Sequence, residues 1–199
     1  YPHSWEINIS LKEFREKFSH LDKGEKLDDD NNYIVAGRIE SKRAASNKLF
    51  FYDIIAGDGS KLQVMASLGS YNAEKKEHFK IINNLIKRGD IIGIRGFPGK
   101  TGLGELSIIP NEMKLLAPCL HQLPHYYGLE NPETRFRNRH LDFMINQPAK
   151  EIFYTRAKII KFIRQFLDDR GFLEVETPIL NKLSGGANAK PFETKLRAL

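Results

Sequence analysis

Five strand-like segments with one helical segment among them constrain the fold of this chain more than any other feature. Alternating and β-branched runs predict strands over residues 33–40, 48–56, 61–66, 90–96 and 103–116. Helical spacing over residues 73–87 separates the third strand from the fourth. This is the element order of the OB-fold, a small five-stranded barrel that often binds oligonucleotides. A barrel without a ligand stays open as the alternative, because order alone does not give function.

The segments that flank the barrel predict a lead-in helix and a second domain. Ser10 precedes Leu11, Phe14 and Phe18 at helical spacing, which predicts a short capped helix. Residues 118–131 are irregular and contain proline, as linkers often do. Asn131-Pro132 predicts a helix start, with the helix running to about residue 145, and a longer amphipathic helix over 151–170 leads into residues 172–178. We therefore expect an OB-fold domain with its helix over 1–117, a linker over 118–131, and the start of an α+β domain over 132–199.

The charge and cysteine content narrow the classes of partner. A net charge of +6 favours an anionic partner, with nucleic acid ahead of a membrane surface, although a solubilising surface charge explains the same number. The single cysteine excludes an internal disulfide and a thiolate metal cluster, and it suits a reducing compartment. No apolar run approaches transmembrane length. We expect a cytoplasmic protein that does not associate with membranes.

Alternation along the strands predicts one polar face on the barrel. If Tyr52, Val64 and Ile108 point inward, their neighbours of opposite parity point outward. The outward set that this parity predicts consists of Arg38, Phe51, Gln63 and Glu105. An aromatic ring beside an amide, a guanidinium and a carboxylate suits single-stranded RNA, because the ring stacks a base while the polar groups contact its edge. The alternative is that Phe51 packs under a loop and the others form a surface ion pair.

Three further patterns resemble functional motifs. Residues 99–101 look like the end of a phosphate-binding loop, but the spacing requires glycine at Ile94, so we predict a hairpin. His121 and His125 are spaced like metal ligands, but Pro124 opposes a helix there, so no metal site is predicted. Arginines at positions 135, 137 and 139 cannot share one helical face. We expect some of them to pair with nearby acids and others to meet phosphate or another domain.

Several stretches together resemble a known family. They are VAGRI at 35–39, GELSI at 104–108, ETRFRNR at 133–139 with Leu141-Asp142, GFLEVETP at 171–178, and GGANAKPF at 185–192. On these residues the chain resembles the N-terminal part of cytosolic-type lysyl-tRNA synthetases, class II enzymes of the aspartate, asparagine and lysine subgroup. The resemblance covers nearly the whole chain, and its last stretch is the lysine-specific one.

The resemblance implies roles for particular residues. Phe51 would stack a base of the tRNA(Lys) anticodon, while Arg38, Gln63 and Glu105 would contact its central uridine. Residues 151–178 would form class II motif 1, which builds a homodimer interface, although a core helix of a monomeric domain fits the same pattern. The interface residues would be Ile159, Ile163, Phe166, Phe172, Val175 and Pro178. Gly186 and Ala187 would lie close to bound lysine, with a plain flexible loop as the alternative.

The resemblance also implies a reaction, in which ATP activates lysine and the lysyl group is then transferred to tRNA. ATP and Mg²⁺ are the implied cofactors, and the arginines that bind the reacting phosphate belong to motifs 2 and 3 of the family. Neither motif occurs in these 199 residues, so we assign no catalytic residue and expect this polypeptide alone not to form lysyl-adenylate. The alternative function is a non-catalytic OB-fold RNA-binding module with a remnant dimerisation segment.

Overall fold

A computed structural model of the chain describes residues 2–27, 32–71, 76–121, 123–124 and 129–179, together with 190, 192 and 194. The chain divides into two compact units, residues 1–147 and 148–199. None of the helices within the described ranges combines the length and apolar character that crossing a bilayer requires.

The first unit is built on a closed five-stranded barrel. Its strands are β1 (Tyr33–Ser46), β2 (Leu49–Ile55), β3 (Lys61–Ser67), β4 (Ile91–Lys100) and β5 (Leu106–Ala117). The order around the barrel is β1-β2-β3-β5-β4, and all pairs are antiparallel except the parallel pair β3–β5. The predicted OB-fold is therefore confirmed. β1 runs six residues past its predicted end at Glu40, because a bulge between Ile39 and Ser41 lets the strand bend while its pairing with β2 continues.

The inward parity predicted for the strands is confirmed by burial. Val35, Tyr52, Ile54, Val64 and Ile108 are all fully buried inside the barrel. The Tyr52 hydroxyl donates to Asn83 Oδ1 at 2.5 Å, and burial raises the pKa of Tyr52 well above its usual value. Helix α2 (Lys76–Leu85) supplies Asn83 and covers the barrel with Phe79 and Ile82.

Helix α1 (Leu11–Phe18) begins with a capping box. Ser10 Oγ accepts from the Glu13 amide at 3.2 Å, and the Glu13 carboxylate accepts from the Ser10 amide at 3.0 Å, which lowers the pKa of Glu13. Leu11, Phe14 and Phe18 are buried, as their spacing predicts. Because this apolar face packs on the barrel, the opposite face of α1 remains in solvent beside β3.

The glycine-rich segment between β4 and β5 is a hairpin, as predicted. Lys100 pairs with Leu106 across the antiparallel strands, and the Gly104 amide donates to the Thr101 carbonyl. Gly104 has φ +92°, a conformation that side chains disfavour. The segment therefore forms no phosphate-binding loop.

The helix predicted from Asn131 to Ile145 is two helices. Asn131 caps α3 (Pro132–Arg137) through the Thr134 amide, and α4 (Arg139–Ile145) follows after Asn138, whose φ −118° and ψ 55° interrupt the helix. Asp142 is fully buried where the two helices meet. Its carboxylate accepts from Arg135 Nε at 2.9 Å and from Arg139 Nη1 at 3.0 Å.

The second unit contains most of the long helix α5 (Gln147–Asp168), which begins four residues before its predicted start. Gly171, with φ +79°, ends the turn after the helix, and the Phe172 amide donates back to the Leu167 carbonyl at 3.1 Å. Arg164 forms an ion pair with Glu174 at 3.0 Å. This pair ties the segment after the turn back along α5.

Candidate nucleic-acid interface

A row of polar residues crosses the outer face of the barrel in register. Ser41 on β1 pairs with Asp53 on β2, Asp53 pairs with Gln63 on β3, and Gln63 pairs with Ser107 on β5. Cross-strand partners project to the same side of a sheet, so these four side chains form one continuous line. The line is the base of the candidate site.

Gln63 is the centre of a hydrogen-bond chain. Its Nε2 donates to Glu105 Oε2 at 2.7 Å, and its Oε1 accepts from Ser107 Oγ at 2.8 Å. Gln63 is 5% exposed and Ser107 is fully buried, whereas Glu105 is exposed. The structure thus brings together the predicted residues Gln63 and Glu105, but it covers most of the Gln63 side chain.

Phe51 lies beside this chain on the same outer face. It pairs with Met65 on β3, two residues along that strand from Gln63. Such diagonal neighbours have Cα atoms roughly 7–8 Å apart, which is close enough for one base to touch both side chains. Phe51 is half-buried, so part of its side chain is open to solvent.

Arg38 does not join the other three predicted residues. It pairs with Ile55, four residues along β2 from Phe51, which is about 13 Å at the usual rise of a strand. Its guanidinium donates to the Gly89 carbonyl at 2.6 Å. In the strand register Arg38 therefore lies apart from the other three, and its side chain holds the loop before β4; its contact with the anticodon stays a prediction.

Arg43 occupies the position beside Phe51 that the sequence analysis gave to Arg38. The two residues are direct partners across β1 and β2, and Arg43 lies 3.6 Å from Asp53. Asp53 also accepts a hydrogen bond from the Ser41 hydroxyl. Simple alternation from Ile39 points Arg43 inward, but the bulge shifts the parity by one residue and turns it outward. The sequence carried no separate signal for this, because alternation places Lys42 and Arg43 on opposite faces whether or not a bulge is present.

An open groove of about 670 Å³ is lined by Ser41, Arg43, Asp53, Gln63 and Glu105, and Phe51 is outside this lining. At one edge Lys61 pairs with Glu40 at 2.7 Å, and Arg15 of α1 donates to the Lys61 carbonyl at 3.2 Å. The groove therefore has three arginine or lysine side chains and three carboxylates in its lining. Within the described residues, Arg15 is the lining cation that has no carboxylate partner.

The three arginines of α3 and α4 all have acidic partners. Arg135 and Arg139 bind the buried Asp142, and Arg137 pairs with Glu133 at 2.9 Å. Burial by itself raises the pKa of Asp142, but hydrogen bonds from Asn146 and Arg135 and the nearby charges lower it overall. The expectation that some of these arginines pair with nearby acids is confirmed.

The second unit presents a largely apolar surface. The residues predicted for the dimer interface all lie on it, and each is exposed: Ile159, Ile163, Phe166, Phe172, Val175 and Pro178. Exposed apolar patches of this kind typically mark surfaces that another protein segment covers. The predicted lysine contacts Gly186 and Ala187 lie outside the described residues.

Comparisons with known proteins agree with both halves of the chain. Residues 33–116 match the family of OB-fold nucleic acid binding domains, and residues 131–199 match the class II tRNA synthetases for D, K and N. A lysine–tRNA ligase of Cladosporium cladosporioides is 46% identical over 98% of this chain. Those of Campylobacter jejuni subsp. doylei and Thermotoga maritima are each 39% identical over 98% of it. Over nearly its whole length the chain is homologous to lysine–tRNA ligases.

The chain spans only part of its lysine–tRNA ligase relatives. It covers 33% of the length of the Cladosporium protein and 38% of the other two. The family implies ATP and Mg²⁺, but the described residues contain no cluster of three or more acidic, histidine or cysteine side chains suited to a metal ion. We assign no residue of the described ranges to ATP or Mg²⁺ and derive no chemical step through them.

Proposed function

We propose that this chain is part of a lysine–tRNA ligase, which activates lysine with ATP and transfers it to tRNA(Lys), and that its barrel recognises the anticodon. The observation that carries the proposal is the Gln63–Glu105 pair beside Phe51 on the outer face of an OB-fold. The OB-fold supports oligonucleotide binding on a face of this kind. A cytoplasmic location, where such an enzyme meets its tRNA, belongs to the same proposal.

The polar pair suits uracil better than cytosine. Gln63 Nε2 has a second hydrogen to donate to a uracil carbonyl, and the second oxygen of Glu105 can accept the uracil N3–H. Cytosine presents an unprotonated N3 at that place, so a carboxylate there meets an acceptor instead of a donor. A site that leaves buried polar groups unpaired rejects the wrong ligand strongly.

Phe51 and the cations supply the part of the affinity that does not depend on base identity. Stacking on an aromatic side chain contributes about 1–3 kcal/mol per base. We place Arg43 beside the stacked base, because Arg43 is the cross-strand partner of Phe51. The contact of Arg38 with the central uridine remains part of the proposal. Arg15 stands at the edge of the groove, where a phosphate of the same strand would pass.

Binding of anticodon hairpins tests the proposal. We expect the wild-type chain to bind a hairpin with a central uridine more tightly than one with a central cytidine. Phe51→Ala should weaken both complexes about tenfold, and Phe51→Tyr, which keeps the ring, is the matched control. Equal affinity for both hairpins, unchanged by Phe51→Ala, would refute anticodon recognition by this face.

The remaining parts of the proposal concern lysine, the dimer and catalysis. We propose that the exposed apolar surface of α5 and residues 172–178 pairs with a second copy, since a two-fold partner would cover it. Lysine would lie near Gly186 and Ala187. Because motifs 2 and 3 do not occur in these residues, the 199-residue chain should show no lysine-dependent ATP–pyrophosphate exchange. Such exchange by the purified chain would contradict this part.

A further inference from the structure

We propose that Asp53 is a further specificity-determining residue of the groove, whose second carboxylate oxygen accepts a hydrogen bond from the ribose 2′-hydroxyl of the bound uridine. This inference rests on the proposed function, because it concerns the nucleotide that Gln63 and Glu105 contact. It adds a property that recognition of the base does not supply. The groove would tell RNA from DNA at this nucleotide.

The carboxylate of Asp53 is fixed through one oxygen and open at the other. The Ser41 hydroxyl donates to Asp53 Oδ2, and Arg43 Nη2 lies 3.6 Å from the same oxygen, which is longer than an ordinary hydrogen bond. Among the residues that the structure describes, none donates to Asp53 Oδ1. The side chain is 32% exposed and lines the groove, so Oδ1 can accept from a ligand there.

A carboxylate in a groove for RNA needs a donor from the RNA. The phosphates of the strand repel it, so Asp53 lowers the affinity for any polyanion unless it makes a compensating contact. A uridine within a strand has two hydrogen-bond donors, the base N3–H and the ribose 2′-hydroxyl. The proposed function gives the N3–H to Glu105, so the 2′-hydroxyl is the donor of this nucleotide that remains for Asp53.

The order of the three polar side chains matches the order of groups along one edge of uridine. Asp53 on β2 is the register partner of Gln63 on β3, and Glu105 lies on the other side of Gln63, just before β5. On uridine, N3–H, O2 and the 2′-hydroxyl follow one another. If Gln63 donates to O2, its two neighbours meet N3–H and the 2′-hydroxyl. If it donated to O4 instead, Asp53 would face the C5 carbon and would have no donor, so the first arrangement is favoured.

Replacing the side chain and the 2′-group together tests the contact. We would measure dissociation constants of the 199-residue chain for two anticodon hairpins, whose central uridine carries either the 2′-hydroxyl or 2′-fluorine. Fluorine keeps the RNA sugar pucker but cannot donate. We expect the wild type to bind the fluorinated hairpin about tenfold more weakly, the effect of one hydrogen bond to a charged group, and Asp53→Ala to bind both hairpins equally.

The matched control is Glu40→Ala, which removes another carboxylate from the lining of the same groove. Both variants remove one negative charge, so both change the general affinity for RNA. The ratio between the two hairpins is therefore the readout. Glu40→Ala should keep the wild-type ratio, whereas Asp53→Ala should lose it.

Each outcome decides the question. Equal binding of the two hairpins by wild type, or the same ratio in wild type and Asp53→Ala, overturns the role of Asp53. Anticodon recognition then still stands if wild type prefers a central uridine to a central cytidine, and the absence of that preference overturns both proposals. Fluorescence of Trp5, whose indole donates to the Val35 carbonyl, reports whether the barrel is folded. If Asp53→Ala does not fold, Asp53→Val gives the same comparison, because valine favours strands and has no acceptor.

Discussion

The buried carboxylate of Asp142 joins α3 to α4, and its replacement by asparagine should destabilise that pair. Asp142 is fully buried and accepts from Arg135 Nε at 2.9 Å, Arg139 Nη1 at 3.0 Å and Asn146 Nδ2 at 2.7 Å. An asparagine can accept on one oxygen only, so its amide nitrogen would face a donor.

The size of the effect follows from the two charged hydrogen bonds. Each contributes about 1.5–3 kcal/mol when its charged partner is buried. Both guanidiniums are about one third exposed, at 35% and 36%, so water replaces part of each lost bond. We expect Asp142→Asn to lower the free energy of opening α3 and α4 by about 2–3 kcal/mol, which accelerates amide hydrogen exchange there roughly 30- to 150-fold.

Hydrogen exchange resolved to α4 is the assay, with barrel amides as the internal reference. Glu133→Gln is the matched control, because it removes an exposed carboxylate that pairs with Arg137 in the same two helices. Exchange in α4 that rises less than threefold in Asp142→Asn, or equally in both variants, would refute the reasoning.

The pKa of Asp142 adds a pH dependence with a defined sign. Its folded pKa is lowered below the ordinary 3.8, so its contribution to stability is complete above that value. The contribution is lost as pH falls through the folded pKa. Protection factors in α4 should therefore decline below about pH 4 in wild type and change less in Asp142→Asn. Parallel declines in the two proteins would contradict the assignment.

Three further predictions concern the barrel and its groove. Arg15→Gln should weaken hairpin binding equally for either central base, and it should reduce the slope of log affinity against log salt concentration by about 0.7. Lys17→Gln, whose side chain lies about 200° round the helix, should change neither quantity. A loss of affinity that depends on the base would argue against a phosphate contact. Gly96→Ala should lower the free energy of unfolding in urea by about 3 kcal/mol or more, because the new Cβ would lie 2.1 Å from a carbonyl oxygen of β5. Stability close to that of the wild type would show that the strands can separate there. Tyr52→Phe should cost about 1–3 kcal/mol in the same assay by leaving the buried Asn83 oxygen unpaired, and a loss under 0.5 kcal/mol would contradict this.

The sequence was sufficient for the barrel because each strand carries a period-two pattern that burial then satisfies. Tyr52, Val64 and Ile108 point inward by parity, and the structure buries all three. Helix boundaries were less predictable. Asn138 interrupts a continuous helical pattern, because the buried Asp142 binds arginines from both sides of the break and favours two short helices over one.

The position of the arginine beside Phe51 depends on a β-bulge, which the alternation of the sequence does not predict. Gln63 and Glu105 lie together as predicted, because no bulge separates them from Val64 and Ile108, the inward residues from which the alternation was counted. Arg43 was missed because a bulge inserts one residue between Ile39 and Ser41, and the side chains from Ser41 to Ala44 then change face.

The same bulge explains why Arg38 and Arg43 have different partners on one strand. Before the bulge, the outward side chain is that of Arg38, which lies near the loop that precedes β4 and donates a hydrogen bond to the Gly89 carbonyl. After the bulge, the outward side chain lies opposite Phe51 and near the carboxylate of Asp53. An arginine bound to a buried-loop carbonyl stabilises the barrel, whereas one beside a half-buried ring can contact a stacked base. Arg43→Ala should therefore weaken hairpin binding without changing urea stability, and Arg38→Ala should lower stability first. The reverse pattern would show that parity, and not the bulge, assigns the two arginines.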